Sequence, residues 1–127
     1  DLPTTADKLQ IRVEPDRDDP QRFVTVLQLA EGWHVNATPA SLEFLIPTRV
    51  NARQGESALS LEVEYPRGEL LEAGLGELIR VYPDGVRIPA RLPAPPDPDT
   101  EVRVRAQACN DSGRCLVPSE IRVQGIP

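Results

Sequence analysis

Two cysteines six positions apart, Cys109 and Cys115, are the residues of this sequence whose type and spacing point most directly to a reaction. They lie in the run Gln107-Ala-Cys-Asn-Asp-Ser-Gly-Arg-Cys-Leu-Val-Pro118, and the five residues between them are polar or turn-forming. Both flanks carry strand patterns, which sets the cysteines facing each other across a hairpin. Opposed residues of an antiparallel pair have Cα atoms roughly 4.5 to 5.5 Å apart, within the span of a disulfide. Closing so short a loop removes only about 2.4 kcal/mol of unfolded-state entropy, against roughly 4.7 kcal/mol for a loop of a hundred residues. A bridge kept for stability would gain more by joining distant strands. The spacing therefore admits redox chemistry, with a structural hairpin bridge as the competing reading.

The remaining candidates are weaker. His34 is the only histidine, and strand parity sets it opposite Trp33 and Val35. Its default place is the solvent face; the alternative puts it beside the sulfurs, where an imidazole of ordinary pKa about 6.5 can stabilise a thiolate or relay protons to it. One histidine and two bridged cysteines do not make a zinc site, so neither a metal nor another cofactor is expected. Asp16-Arg-Asp-Asp19 and Asp97-Pro-Asp99 lack the calcium-loop pattern and are expected to be solvated turns. The glycosylation triplets Asn36-Ala-Thr38 and Asn110-Asp-Ser112 arise too often by chance to carry weight. No Ser-His-Asp or paired-carboxylate arrangement stands out.

The elements that must hold these residues are strands. At 127 residues the chain has room for one domain that buries its own core. Its 14 prolines argue against long helices, and only five residues are aromatic. A net charge of −6 removes the electrostatic footprint of a nucleic-acid binder and weakens any case for an anionic membrane surface. No apolar run approaches the 18 or so residues of a spanning helix. Residues 1–7 are expected to be a linker tail, with Asp1 at a processing boundary, and residues 8–124 a single domain.

Alternating patterns, and at 22–30 a largely apolar run with Thr25 and Gln28 interspersed, mark strands at 8–14, 22–30, 33–36, 42–46, 59–65, 78–82, 86–92, 101–108 and 115–123, each limited by proline, glycine or charged turns. Residues 67–80 place leucines at helical spacing, but Gly74 and Gly76 each cost a helix about 1 kcal/mol, so a loop leading into the 78–82 strand is expected. Short strands with regular turn signals predict an antiparallel β-sandwich. Val102, Val104, Ala106 and Ala108 share one face, so Arg103, Arg105, Gln107 and Cys109 share the other, and Cys109 is expected near solvent or under a mobile cover. On the return strand Ile121 and Val123 give Cys115 the inward parity.

The cysteine run resembles that of the N-terminal periplasmic domain family of DsbD, the membrane conductor that supplies electrons to periplasmic thiol proteins. Glu31-Gly32-Trp33-His34-Val35-Asn36 and Val81-Tyr82-Pro83-Asp84-Gly85-Val86-Arg87-Ile88-Pro89 resemble two further segments of that family, in the same order. The resemblance implies an immunoglobulin-like sandwich in the periplasm and dithiol–disulfide exchange. Electrons would arrive from a thioredoxin-like protein and leave to disulfide isomerases or cytochrome-maturation proteins, with membrane contact only through a fused segment. It also implies that Cys115 forms the mixed disulfide and Cys109 resolves it, against the lean of the parity argument, with His34, Asn36, Leu75, Tyr82 and Gln107 as neighbours of the site. Two departures stand out. His34 and Asn36 occupy positions where DsbD carries a tyrosine pair, and the stretch Ala73-Gly74-Leu75-Gly76 offers only Leu75 where the family shields its bridge with aromatics. A related domain attached to other thioredoxin-like proteins fits equally well. A non-catalytic immunoglobulin-like interaction module is the alternative function, and reducibility of the bridge discriminates the two.

Overall fold

A computed structural model describes residues 2–126, whose alternating patterns are realised as short antiparallel strands in three four-stranded sheets. In chain order these are β1 (Leu9–Pro15), β2 (Arg22–Leu29), β3 (Trp33–Asn36), β4 (Arg49–Gln54), β5 (Ser57–Leu59) and β6 (Glu62–Val63). They continue as β7 (Glu69–Glu72), β8 (Leu78–Tyr82), β9 (Arg87–Arg91), β10 (Thr100–Ala106), β11 (Ala108–Asn110) and β12 (Ser119–Gln124). The sheet orders are β1-β2-β9-β6, β12-β10-β4-β5 and β11-β3-β8-β7. This is the all-β antiparallel class that the strand patterns predict and the immunoglobulin-like fold that the resemblance implies. Alternation sets the core: Phe23, Thr25 and Leu27 of β2 and Val102, Val104 and Ala106 of β10 are all fully buried, each aliphatic contributing roughly 1.5–3 kcal/mol. The outward Arg103 of β10 pairs instead with Glu101 and Glu120.

Four segments depart from expectation. Residues 42–46 form a turn rather than a strand, with the Leu45 amide donating to the Leu42 carbonyl at 3.1 Å. Its apolar residues serve a second small cluster of Leu45, Ala73, Ile79 and Val81, which one side of a turn can supply as well as a strand face. The polar 49–59 stretch is the β4–β5 hairpin, whose turn places Gly55 at φ +59°. Only Val50 and Ala52 of β4 are inward and apolar, too few to signal a strand. The expected 59–65 strand is broken between β5 and β6. Within 67–80, β7 pairs with β8 from Glu69↔Val81 to Glu72↔Leu78. The helical spacing there marks no buried face, since Leu70 and Leu78 are exposed.

The expected tail is also docked. Asp1 lies outside the described residues, but Thr5–Asp7 make one 3-10 turn and Thr5 is fully buried. The Thr5 amide donates to the Val117 carbonyl at 2.9 Å, and the Thr5 hydroxyl oxygen accepts the Ala108 N–H at 2.8 Å. This turn therefore fastens both arms of the cysteine hairpin. At Gln107 the chain leaves the sheet of β10 and enters that of β3, and the Ala108 N–H finds its partner in Thr5 rather than in a ladder.

Candidate functional site

Cross-strand register builds the site. Cys109 of β11 lies directly opposite His34 of β3 on one side and opposite Cys115 on the other. Residues opposed in antiparallel strands present their side chains to the same face, so His34, Cys109 and Cys115 form a row. The sulfurs are bonded, with the Cα atoms 4.0 Å apart. Asn110 ties the hairpin tip. Its amide donates to the Arg114 carbonyl at 2.8 Å, and its side-chain oxygen accepts from the Ser112 and Arg114 amides and the Ser112 hydroxyl at 2.9–3.1 Å.

Over this row lies a cavity of about 160 Å³ whose walls include both cysteines, His34, Asn36, Gln107 and Leu75. Its roof comes from two loops, one carrying Phe44 and Leu45 and the other Ala73 to Gly76. The second loop touches the hairpin backbone to backbone. A Cβ on Gly74, at φ +76°, would stand 2.8 Å from the Ser112 carbonyl oxygen, and a Cβ on Gly113, at φ +100°, would collide with that of Ala73. Only glycine tolerates both the conformation and the approach. The two cysteines are unequal: Cys109 is 3% exposed, whereas Cys115 is an exposed residue.

This placement corrects three expectations. Cys115 does not take the inward parity of Ile121 and Val123, because Pro118 breaks the ladder and β12 begins only at Ser119, leaving Cys115 paired with Cys109 at a sheet edge. His34 is not at the solvent face. It is 3% exposed, with Nδ1 3.1 Å from Asp111 Oδ1 and Nε2 buried without a partner. Leu75 is not the sole cover, since Phe44 supplies an aromatic from a loop that carried a strand pattern. Of the expected neighbours His34, Asn36, Leu75 and Gln107 are brought together, whereas Tyr82 lies in the core, its hydroxyl donating to the Pro66 carbonyl at 2.7 Å and accepting the Thr38 amide at 3.3 Å. Burial pushes the Tyr82 phenol above its ordinary pKa. Asn36 donates through Nδ2 to the Ile46 carbonyl at 2.9 Å and leaves Oδ1 buried and unpartnered. Phe44, Asp111 and Thr5 carried no sequence signal for the site.

The model of the family described as "Thiol:disulfide interchange protein DsbD, N-terminal" matches residues 3–125. The chain belongs to this family. Two solved structures share the fold of this DsbD-type domain. One is the N-terminal domain of Neisseria meningitidis DsbD in the reduced form, at a TM-score of 0.63 and 14% identity, covering 99% of this chain and 92% of that one. The other is the N-terminal periplasmic domain of ScsB from Proteus mirabilis, also at 0.63, with 16% identity over 93% of this chain and 47% of that one. No curated protein matches the sequence.

In this DsbD-type domain the bridge fits thiol–disulfide exchange. Attack on a disulfide displaces the other sulfur with the electron pair, and of the two cysteines Cys115 is the exposed one and Cys109 the buried one. The roof sets how fast that happens. Leu75 is 36% exposed and Phe44 69%, so each is a thin lid rather than core. Leu75→Ala is expected to quicken attack on the bridge, or alkylation of the reduced thiols, by a few-fold in a stopped-flow assay. Unchanged rates in both redox states would leave the shielding to Phe44 alone.

Proposed function

We propose that this chain is a periplasmic thiol–disulfide exchange domain that takes reducing equivalents from a thioredoxin-like donor and passes them to periplasmic acceptors of the disulfide-isomerase or cytochrome-maturation type. The observation that carries this reading is one bridge joining a buried cysteine, Cys109, to an exposed one, Cys115. The donor thiolate attacks Cys115 Sγ, the Cys109–Cys115 bond breaks, and its electron pair leaves on Cys109. The donor's second thiolate then attacks the donor sulfur of the mixed disulfide and releases Cys115. Two electrons have moved, and the donor is oxidised. An acceptor disulfide is reduced by the same steps reversed: Cys115 attacks, and Cys109 resolves.

A periplasmic location is supported by a bridged cysteine pair, which persists in oxidising compartments, and by the ScsB relative, described as periplasmic. Residues 8–124, preceded by the docked turn, serve as the exchange unit.

The decisive experiment is equilibration with a thioredoxin-type dithiol, with far-ultraviolet circular dichroism recorded alongside. The bridge is expected to be reduced reversibly while the sheets persist, because losing about 2.4 kcal/mol of loop constraint leaves a domain of ordinary 5–15 kcal/mol stability folded. A bridge that resists excess donor at equilibrium, or sheets that melt on reduction, would make the bridge a structural fastener in a non-catalytic module.

A further inference from the structure

Reducing the bridge creates a thiolate where burial disfavours it. Cys109 is 3% exposed and roofed by apolar side chains, surroundings that slow the return of its thiol as a nucleophile. The site must therefore hold a proton for Cys109 and surrender it on demand. Among the described residues lining the cavity, none is Lys or Arg, and His34 is the only one that can become cationic.

We propose, building on the exchange reading above, that His34, oriented by Asp111, takes the proton from Cys109 as it resolves a mixed disulfide on Cys115 and returns that proton when the bridge is reduced. Register sets the His34 side chain next to that of Cys109 on the same face, where opposed Cβ atoms stand about 4.5–5.5 Å apart. Its Nδ1 meets the Asp111 carboxylate, an acceptor only, so this nitrogen carries the hydrogen and the neutral ring keeps its lone pair on Nε2. Nε2 is buried without a partner in the oxidised domain, the state in which Cys109 has no proton to share. Leaving such an atom unpaired costs about 1–3 kcal/mol, a cost expected where the atom is used in another state of the cycle. Asn36 Oδ1 is the cavity's other unpartnered polar atom, and an amide oxygen can accept a hydrogen bond from a thiol but does not take its proton.

The other charged groups around the ring are acidic. Asp111 comes from the hairpin tip, and Glu31 before β3, Glu69 on β7 and Asp84 after β8 line a groove that His34 also borders. No Lys or Arg lines that groove among the described residues, so it supplies no rival cation. In the resolving step the proton of the Cys109 thiol passes to Nε2. The Cys109 thiolate attacks Cys115 Sγ, the Cys109–Cys115 bond forms, and the bond from Cys115 to the partner breaks. The partner sulfur leaves with the electron pair and is reduced, and the domain is oxidised.

The test uses the reduced domain and an equimolar aromatic disulfide reagent whose thiolate product is coloured. The first release reports attack by Cys115, and the second reports resolution by Cys109. Both are followed over about pH 5 to 10, where imidazoles and thiols titrate. In His34→Phe the second release is expected to slow about tenfold at neutral pH and its half-maximal rate to move up by about one pH unit, the two being the same change in thiolate fraction. The first release should stay within about twofold, because Cys115 is open to solvent. His34→Gln keeps a polar side chain of similar length, should Phe disturb the fold, and is expected to show the same shift. Asp111→Asn should move the profile in the same direction by less. A second release that keeps its wild-type pH profile in both His34 variants would overturn the proposal. Failure of a thioredoxin-type dithiol to reduce the domain would strike the exchange reading instead, since the reagent assay needs no protein partner.

Discussion

A donor lacking its resolving cysteine is expected to be trapped on Cys115, and replacing Cys115 should all but abolish the adduct. The reason is access: a nucleophile must approach along the S–S axis, and Cys115 lies open at a sheet edge while Cys109 is 3% exposed beneath the roof of Phe44 and Leu75. Attack on Cys115 also lets Cys109 leave beside His34. In Cys109→Ser, with Cys115 first converted to a mixed disulfide with an aromatic thiol, the donor thiolate should attack Cys115 Sγ and displace the aromatic thiolate, so the trapped species should still form. In Cys115→Ser, treated with the same aromatic disulfide, the remaining cysteine is the buried one, and formation of the donor adduct should slow by on the order of a hundredfold or more. Peptide mapping of the crosslink decides the matter. An adduct found mainly on Cys109 in the otherwise intact domain would reverse the two roles and leave exchange itself standing.

The second large effect lies far from the sulfurs in sequence. Thr5→Val, which preserves shape and removes one oxygen, is expected to lower the stability of the oxidised domain by about 1–3 kcal/mol, because the fully buried Ala108 N–H loses its acceptor. The denaturant midpoint should fall with an unchanged slope, since the surface exposed on unfolding is the same. Deleting residues 1–7 should cost more, as it also removes the Thr5 amide from the Val117 carbonyl and the Ala6 amide from the Ser119 hydroxyl. A truncated domain with the full-length midpoint would return this segment to the status of a tail. The expectation sets the family match, which begins at residue 3, on a physical footing.

Some features were legible because their causes are local. The bridge follows from two cysteines flanking a turn whose own residues tie it, Asn110 holding Ser112 and Arg114 within four positions. The buried face of β10 follows from period-two alternation over seven residues, and the bounds of β3 and β8 from the turn residues that flank them. The resemblance carried by the cysteine run and its two upstream partners pointed to the family that the match over residues 3–125 establishes. Where apolar residues were sparse, as in β4, or where glycines interrupted them, as in the β7–β8 loop, the pattern lost its period and misled.

What the sequence by itself determined is therefore the bridge and the class: a cysteine hairpin on an all-β domain. The tertiary structure alone decided which sulfur meets the solvent, what covers the other, and what stands beside it. Each of those outcomes rests on a contact across the chain. His34 reaches Asp111 over 77 positions, Thr5 meets Ala108 over 103, and Phe44 arrives from a loop whose sequence looked like a strand. Alternation says which residues share a face of one strand, but burial of that face depends on what another segment lays over it, and no local pattern near Cys109 encodes Phe44 or the Gly74–Gly113 contact.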